Sequence, residues 1–269
     1  MQYALVNGQK REALPRLQGK CPQCSEDVIA KCGTRIIHHW AHARRLNCDP
    51  WWENETAWHR HWKNQFPEEC REVSHTAITG EVHRADVKTA GGIIIEFQHS
   101  AITDEERAAR EQFYENLVWV IDGNGFIENF QIFHRLPDPA SEVAQDIVWT
   151  KSAVNMGGSQ RGIFWRPSEN PNMGLSSGEL VRIHGIQEIQ DKVDSAYRGH
   201  HQYEWIRPRR TWLDATCPVY IDFGENLVRL ESYGEYRLPC IRMFAKAKIL
   251  RDLRFETFAK SVGADSISE

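Results

Sequence analysis

Two groups of side chains in this chain of 269 residues have the types and spacing for metal chemistry. The first lies in Arg84-Ala-Asp86-Val-Lys-Thr-Ala-Gly-Gly-Ile-Ile-Ile-Glu96-Phe-Gln98. Strand alternation puts Ala85, Val87, Ile93, Ile95 and Phe97 on one side, and Arg84, Asp86, Lys88, Ile94, Glu96 and Gln98 on the other. A two-residue turn would mix the faces, because a slip of one residue flips a strand. A three-residue loop, Ala90-Gly91-Gly92, keeps them separate and pairs Asp86 with Glu96 and Val87 with Ile95, its glycine supplying the left-handed residue. Two carboxylates would then face each other with Cβ atoms roughly 5 Å apart. Arg84 and Lys88 could neutralise them on an exposed face, but Ile93-Ile94-Ile95 reads as a central strand that hides its acids from water. A divalent cation between the two acids would relieve the repulsion. Hard oxygen donors suit magnesium or manganese, which leave positions for water and phosphate, and such a site can hydrolyse a phosphodiester.

The second group is Cys21-Pro-Gln-Cys24 followed by His39-Trp-Ala-His42. C-x2-C and H-x2-H together offer zinc four soft or borderline ligands, and a filled shell of protein ligands makes such a site structural. Cys32, His38 and Cys48 stand nearby as substitutes. Seven cysteines, an odd number, argue for reduced thiols or metal ligands rather than a disulfide framework.

Other residues fall into place around the acids. Gln98 emerges beside Glu96 and could orient water or touch a phosphate oxygen, without the charge a lysine brings. A helix expected over Glu53 to Phe66 carries Trp58, Trp62 and Phe66 on one stripe and Glu55, His59 and Lys63 on the next. With the tryptophans on the sheet, Glu55 becomes a further metal or water ligand, and Lys63, His59 and Arg84 become phosphate contacts. The same spacing also suits an ordinary ion-pair stripe.

The elements that must position these groups read as two short strands around Cys32-Gly33, the helix, strands near Glu81–Lys88 and Ile93–Gln98, a helix from the capping box Thr103-Asp-Glu-Glu106 to near Leu117, and a buried strand Leu117–Ile121. Lys151 to Gly178, rich in Gly, Ser, Asn and Pro, reads as a linker. A helix over Glu179–Tyr197 and a hairpin across Gly224-Glu225-Asn226 follow, and Arg207-Pro-Arg209-Arg210 reads as a solvated surface. The expected division is a zinc-binding module at 1–50, an α/β nuclease-type core at 51–150 and an α+β domain at 151–269.

Composition bounds the partners. With 33 Lys and Arg against 37 Asp and Glu, the net charge of −4 gives no general attraction for polyanions. Residues 1–63 carry +4, with 10 basic against 6 acidic residues, so any such attraction is local. Five of ten tryptophans, Trp40, Trp51, Trp52, Trp58 and Trp62, lie close together and are read as packing residues more than as base-stacking platforms. No apolar run is long enough for a membrane span and the start lacks a secretory layout, so a cytoplasmic protein without membrane contact is expected.

The ordered set Cys21-x2-Cys24, His39-Trp-Ala-His42, Glu55-x3-His59-x3-Lys63, Arg84-Ala-Asp86-Val, Glu96-Phe-Gln98-x-Ser100 and Arg110-x3-Tyr114 resembles the competence protein CoiA-like family and the PD-(D/E)XK nuclease core. The resemblance implies a restriction-endonuclease-like fold, magnesium-dependent cleavage of DNA with Asp86, Glu96 and Gln98 as motif residues, and zinc on Cys21, Cys24, His39 and His42. Ala85 replaces the proline frequent in that superfamily, and Gln98 its usual lysine. A non-catalytic, zinc-stabilised binder of single strands is the alternative.

Overall fold

The computed structural model describes residues 1–44, 48–51, 55–171 and 182–254. The chain divides into two compact units. One holds Met1–Asp122, Asp214–Val219 and the described residues from Ala247; the other holds Gly123–Leu213 and Tyr220–Lys246. The division thus falls after Asp122, whereas the sequence places one at 150/151. Residues 1–50 pack in the same unit as the elements that follow them.

The first unit begins with β1 (Tyr3–Val6), β2 (Gln9–Glu12), β3 (Gln18–Lys20), β4 (Asp27–Lys31) and β5 (His39–His42), an antiparallel sheet in the order β2-β1-β3-β4-β5. Its core gathers Met1, Ala4, Ala13, Val28 and Trp40. The sequence reading takes His39-Trp-Ala-His42 as a ligand cluster, but it is a strand paired with β4, His39 opposite Lys31 and His42 opposite Val28.

Helix α1 (Ala57–Lys63) starts at Thr56, whose hydroxyl accepts from the His59 amide at 3.3 Å while the Thr56 amide donates to His59 Nδ1, also at 3.3 Å. The expected start at Glu53, like Trp52, lies outside the described residues; Glu55 is described and precedes the cap. Trp62 stacks on Phe97 with ring centroids 5.4 Å apart, and Trp58 meets the same ring edge-on at 6.2 Å. The tryptophan stripe therefore faces the sheet.

Next come β6 (Arg71–Thr76), which the sequence reading misses, β7 (Val82–Lys88), β8 (Ile94–Gln98), α2 (Asp104–Phe113) and β9 (Leu117–Asp122), with the strands ordered β6-β7-β8-β9. Burial alternates along β7 and is complete along β8, as befits a central strand. β7 and β8 are antiparallel with Val87 opposite Ile95, the register that a three-residue loop requires. Gly92 takes φ +83°, the left-handed residue of that turn. β8 and β9 run parallel, Glu96 opposite Trp119. Thr103 caps α2 by accepting from the Glu106 amide at 3.1 Å, and the helix stops at Phe113, short of Leu117.

The second unit contains β10 (Phe130–Pro137), α3 (Glu142–Gln145), β11 (Val148–Trp149), β12 (Ile163–Trp165), β13 (Ile183–Gly185), α4 (Gln190–Ala196), β14 (Tyr197–Trp205), α5 (Arg210–Leu213), β15 (Val219–Asp222, in this unit from Tyr220), β16 (Asn226–Tyr233) and β17 (Leu238–Ala245). Its antiparallel strands follow the order β10-β14-β17-β16-β15, with β11-β12-β13 as a small separate sheet. The hairpin across Gly224 forms as expected, Ile221 opposite Val228. The expected linker from Lys151 contains β12, whose Phe164 is fully buried; its residues 172–178 lie outside the described ones. The helix expected over Glu179–Tyr197 shortens to α4, because Ile183–Gly185 pairs with β12 as a strand; residues 179–181 are likewise outside. The last helix, α6 (Lys246–Arg254), belongs to the first unit from Ala247 onward. Among the described residues no helix is long and apolar enough to cross a membrane.

Candidate functional site

Cys21, Cys24, His42 and Cys48 bring one donor atom each to within 4.8 Å of one another, and among the described residues no other three or more His, Cys or carboxylate donors converge so closely. Cys21 and Cys48 sulfurs stand 3.8 Å apart, and Cys24 Sγ lies 3.3 Å from His42 Nε2. Sulfurs bound to one tetrahedral zinc at ~2.3 Å would stand roughly 3.8 Å apart, so the donors fit that ion. The turn after Cys21 is closed by the Ser25 amide on the Cys21 carbonyl at 3.0 Å.

This corrects the expected ligand set. His39 is not in the group: its Nδ1 is bound to the Ile37 carbonyl at 2.9 Å. The reason is parity, since residues three apart on a strand point to opposite faces, so β5 can send only one of its two histidines to the sulfurs. Cys48 takes the fourth place. Burial works to raise the Cys21 thiol, but the amides of Cys24 and Gln23 and the neighbouring thiols outweigh it and leave it below the usual thiol value. Burial, followed by the charge of Cys21, pushes Cys48 up to about 12. Burial and Arg84 lower His42, keeping its imidazole in the neutral form that ligates metals.

The acids form a second site. Asp86 and Glu96 line a cavity of ≈ 50 Å³ together with Glu55, His59, Lys63 and Arg84. The structure thus gathers every expected residue of this site except Gln98. About 10–15 Å³ admits one water, so the space suits a small cation with water. Gln98 lies two residues, ~6.7 Å, further along the strand. Its amide donates to the Ser100 carbonyl at 3.3 Å and its buried Oε1 has no partner among the described residues.

The ladder of β7 and β8 is taken over by side chains at the acids. The Asp86 amide donates to Glu96 Oε1 at 3.3 Å, and the Phe97 amide donates to Asp86 Oδ2 at 3.0 Å. The remaining oxygens face cations. Arg110 Nη1 reaches Glu96 Oε2 at 3.0 Å, and Lys63 Nζ stands 3.8 Å from Asp86 Oδ1. Burial and then the Asp86 charge raise the Glu96 carboxyl to about 8 in spite of Arg110.

Lys63, 3% exposed, lies 2.6 Å from Glu55 and 3.0 Å from Glu72. Burial opposes its charge, but Glu72, Glu55 and Asp86 outweigh that and raise its pKa above the usual value. Glu55 also accepts from Arg60 at 2.7 Å, so it serves here as an ion-pair partner. Glu72 was not anticipated. It sits on β6 at φ +47°, a conformation side chains rarely adopt, and accepts from the Gln2 and Tyr3 amides at 2.8 and 3.1 Å. Burial acts to raise its carboxyl, yet Lys63 and Arg84 hold it well below the usual range. Asp49, Trp51 and Arg110 also line the cavity. Of these, Arg110 carried a sequence signal in Arg110-x3-Tyr114, Trp51 was read as a packing residue of the tryptophan cluster, and Asp49 gave none.

Residues 6–50 match the family model described as competence protein CoiA, N-terminal domain, as expected from the resemblance read in the sequence. The matched segment carries all four converging donors of the cysteine group. No curated protein and no solved structure matches the chain.

Proposed function

We propose that the protein is a metal-dependent, CoiA-like nuclease that hydrolyses phosphodiester bonds in DNA, built on a PD-(D/E)XK-type core. The observation that carries the reading is the placing of Asp86 and Glu96 on facing strands, each with one oxygen bound to an amide and the other facing a cation. The order α1, β7, β8, α2, β9 supports the core assignment. Asp86 and Glu96 would hold magnesium or manganese, which when bound acidifies water and neutralises charge on phosphate. Burial and the Asp86 charge favour the protonated form of Glu96, which would have to give up that proton to hold a cation. Lys63 brings to the cleft the positive charge that Gln98 lacks. With Arg84 it faces the anionic backbone, while Gln98 supports the strand end beside the site. Zinc on Cys21, Cys24, His42 and Cys48 would hold the N-terminal segment in place. Because overall charge is slightly acidic, DNA affinity depends on these local cations and falls with salt.

The test is incubation of the purified chain with circular single-stranded and supercoiled DNA, with magnesium, manganese or chelator, beside Asp86→Asn and Glu96→Gln. Cation-dependent cutting by the parent chain alone supports the reading. The pairing of both acids with internal cations favours a second reading, a non-catalytic single-strand binder; retention of DNA without cleavage under every cation would establish it.

A further inference from the structure

The residues between the two sites, Cys48-Asp49-Pro50-Trp51, touch both. Cys48 gives its sulfur to the cysteine group. Asp49, 6% exposed, accepts through Oδ1 from His83 Nδ1 at 2.9 Å and through Oδ2 from the Arg84 amide at 2.9 Å. Both partners are on β7, the strand of Asp86. The Trp51 amide donates to Asp49 Oδ1 at 3.0 Å, closing a local turn, and the Trp51 ring stacks on His83 with centroids 3.3 Å apart. The Trp51 carbonyl then accepts from Arg110 Nη2 at 2.7 Å, while Nη1 of the same guanidinium holds Glu96. From the other side Gln23, within the Cys21–Cys24 turn, donates to the Val82 carbonyl at 3.1 Å, at the start of β7.

We propose that this segment is a strut by which the cysteine group sets the geometry of the acidic cleft, with Asp49 and Trp51 as positioning residues for Asp86 and Glu96. It rests on the reading of those acids as the cation-binding pair. Partners behind first ligands commonly govern metal affinity by tenfold or more. Here the route is short: one peptide bond joins Cys48 to Asp49, two hydrogen bonds join Asp49 to β7, and two join Trp51 to Glu96. The arrangement makes filling of the sulfur site a condition for an ordered acidic site.

The test uses the full chain and reads amide hydrogen exchange, zinc content and manganese affinity. In Asp49→Asn an NH2 replaces one acceptor oxygen, so exchange at Arg84 and Asp86 accelerates and manganese binds roughly tenfold more weakly, with zinc content unchanged. Cys48→Ser, which gives up zinc, produces the same two changes, and Cys48→His, still able to ligate, reverses them. Exchange in β16 and β17 stays as in the parent, which separates a displaced strut from global unfolding. Unaltered exchange at Arg84 and Asp86 in both Asp49→Asn and Cys48→Ser overturns the proposal. If the parent chain takes up no manganese, the phosphodiesterase reading falls, and the exchange rates still decide the strut.

Discussion

The cysteine group and the acidic cleft share one packed unit and solve opposite electrostatic problems. Around Cys21, Cys24, His42 and Cys48 the ligand set itself brings no cation, so ionising its thiols calls for a metal ion to neutralise the charge. In the cleft, Asp86, Glu96, Glu55 and Glu72 are already matched by Lys63, Arg60 and Arg110. A set of carboxylates satisfied by internal cations can stand without a metal and exchange one, whereas a sulfur knuckle gains its folded shape by filling. On the proposed reading the difference separates a holding site from a working site.

The sharpest way to break that contrast is to strip both metals. Removing the ion from the cysteine group, by chelation or by Cys24→Ser, is expected to cost about 4 kcal/mol or more, seen as a large fall in the thermal midpoint; withdrawing magnesium alone leaves the midpoint nearly in place. Equal sensitivity to the two would erase the distinction. Lys63→Met leaves Glu55 and Glu72 facing each other in a closed space, so a loss of about 3–5 kcal/mol is expected in denaturant unfolding, with zinc content preserved.

A smaller effect follows from protons. The Glu96 carboxyl is raised from 4.5 to about 8 in the folded chain. Its contribution to the stability of the metal-free protein is therefore complete below pH 4.5 and lost as pH rises through about 8. A cation must displace that proton, so manganese affinity should climb about tenfold per pH unit below 8 and flatten above it, and Glu96→Gln should remove the slope. Calorimetric titration between pH 6 and pH 9 measures this, and a flat profile in the parent chain would refute it. Smallest of all, His39→Ala should leave zinc content intact and stability within ~0.5 kcal/mol, while His42→Ala releases the metal; the reverse pattern would restore the H-x2-H pair as ligands.

The acidic hairpin was legible because loop length and the apolar pattern fix register together: only Asp86 opposite Glu96 keeps Val87 and Ile95 on one side. The stripe of His59 and Lys63 was legible for a similar reason, helical spacing next to tryptophans that had to be buried. His39 misled because a pair of histidines three apart reads as a turn of ligands until the segment is known to be a strand, where parity sends them apart. Glu72 and Asp49 gave no local signal at all. Each is a single acid in an unremarkable stretch, and its importance comes from contacts more than thirty residues away, with Gln2 and Tyr3 in one case and His83 and Arg84 in the other. The second unit was least legible because β10 pairs with β14, and β14 with β17, across long sequence separations, so no short-range turn announces those pairings.

The division of labour between the oxygens of Asp86 and Glu96 has a mechanical consequence. Oδ2 and Oε1 act as rivets of the hairpin, clasping main-chain amides, and Oδ1 and Oε2 are the hands left to grasp and let go. On the proposed reading an incoming ion would push aside an ammonium and a guanidinium, both on long side chains, together with the Glu96 proton, so loading and unloading could be repeated without unstitching the strands.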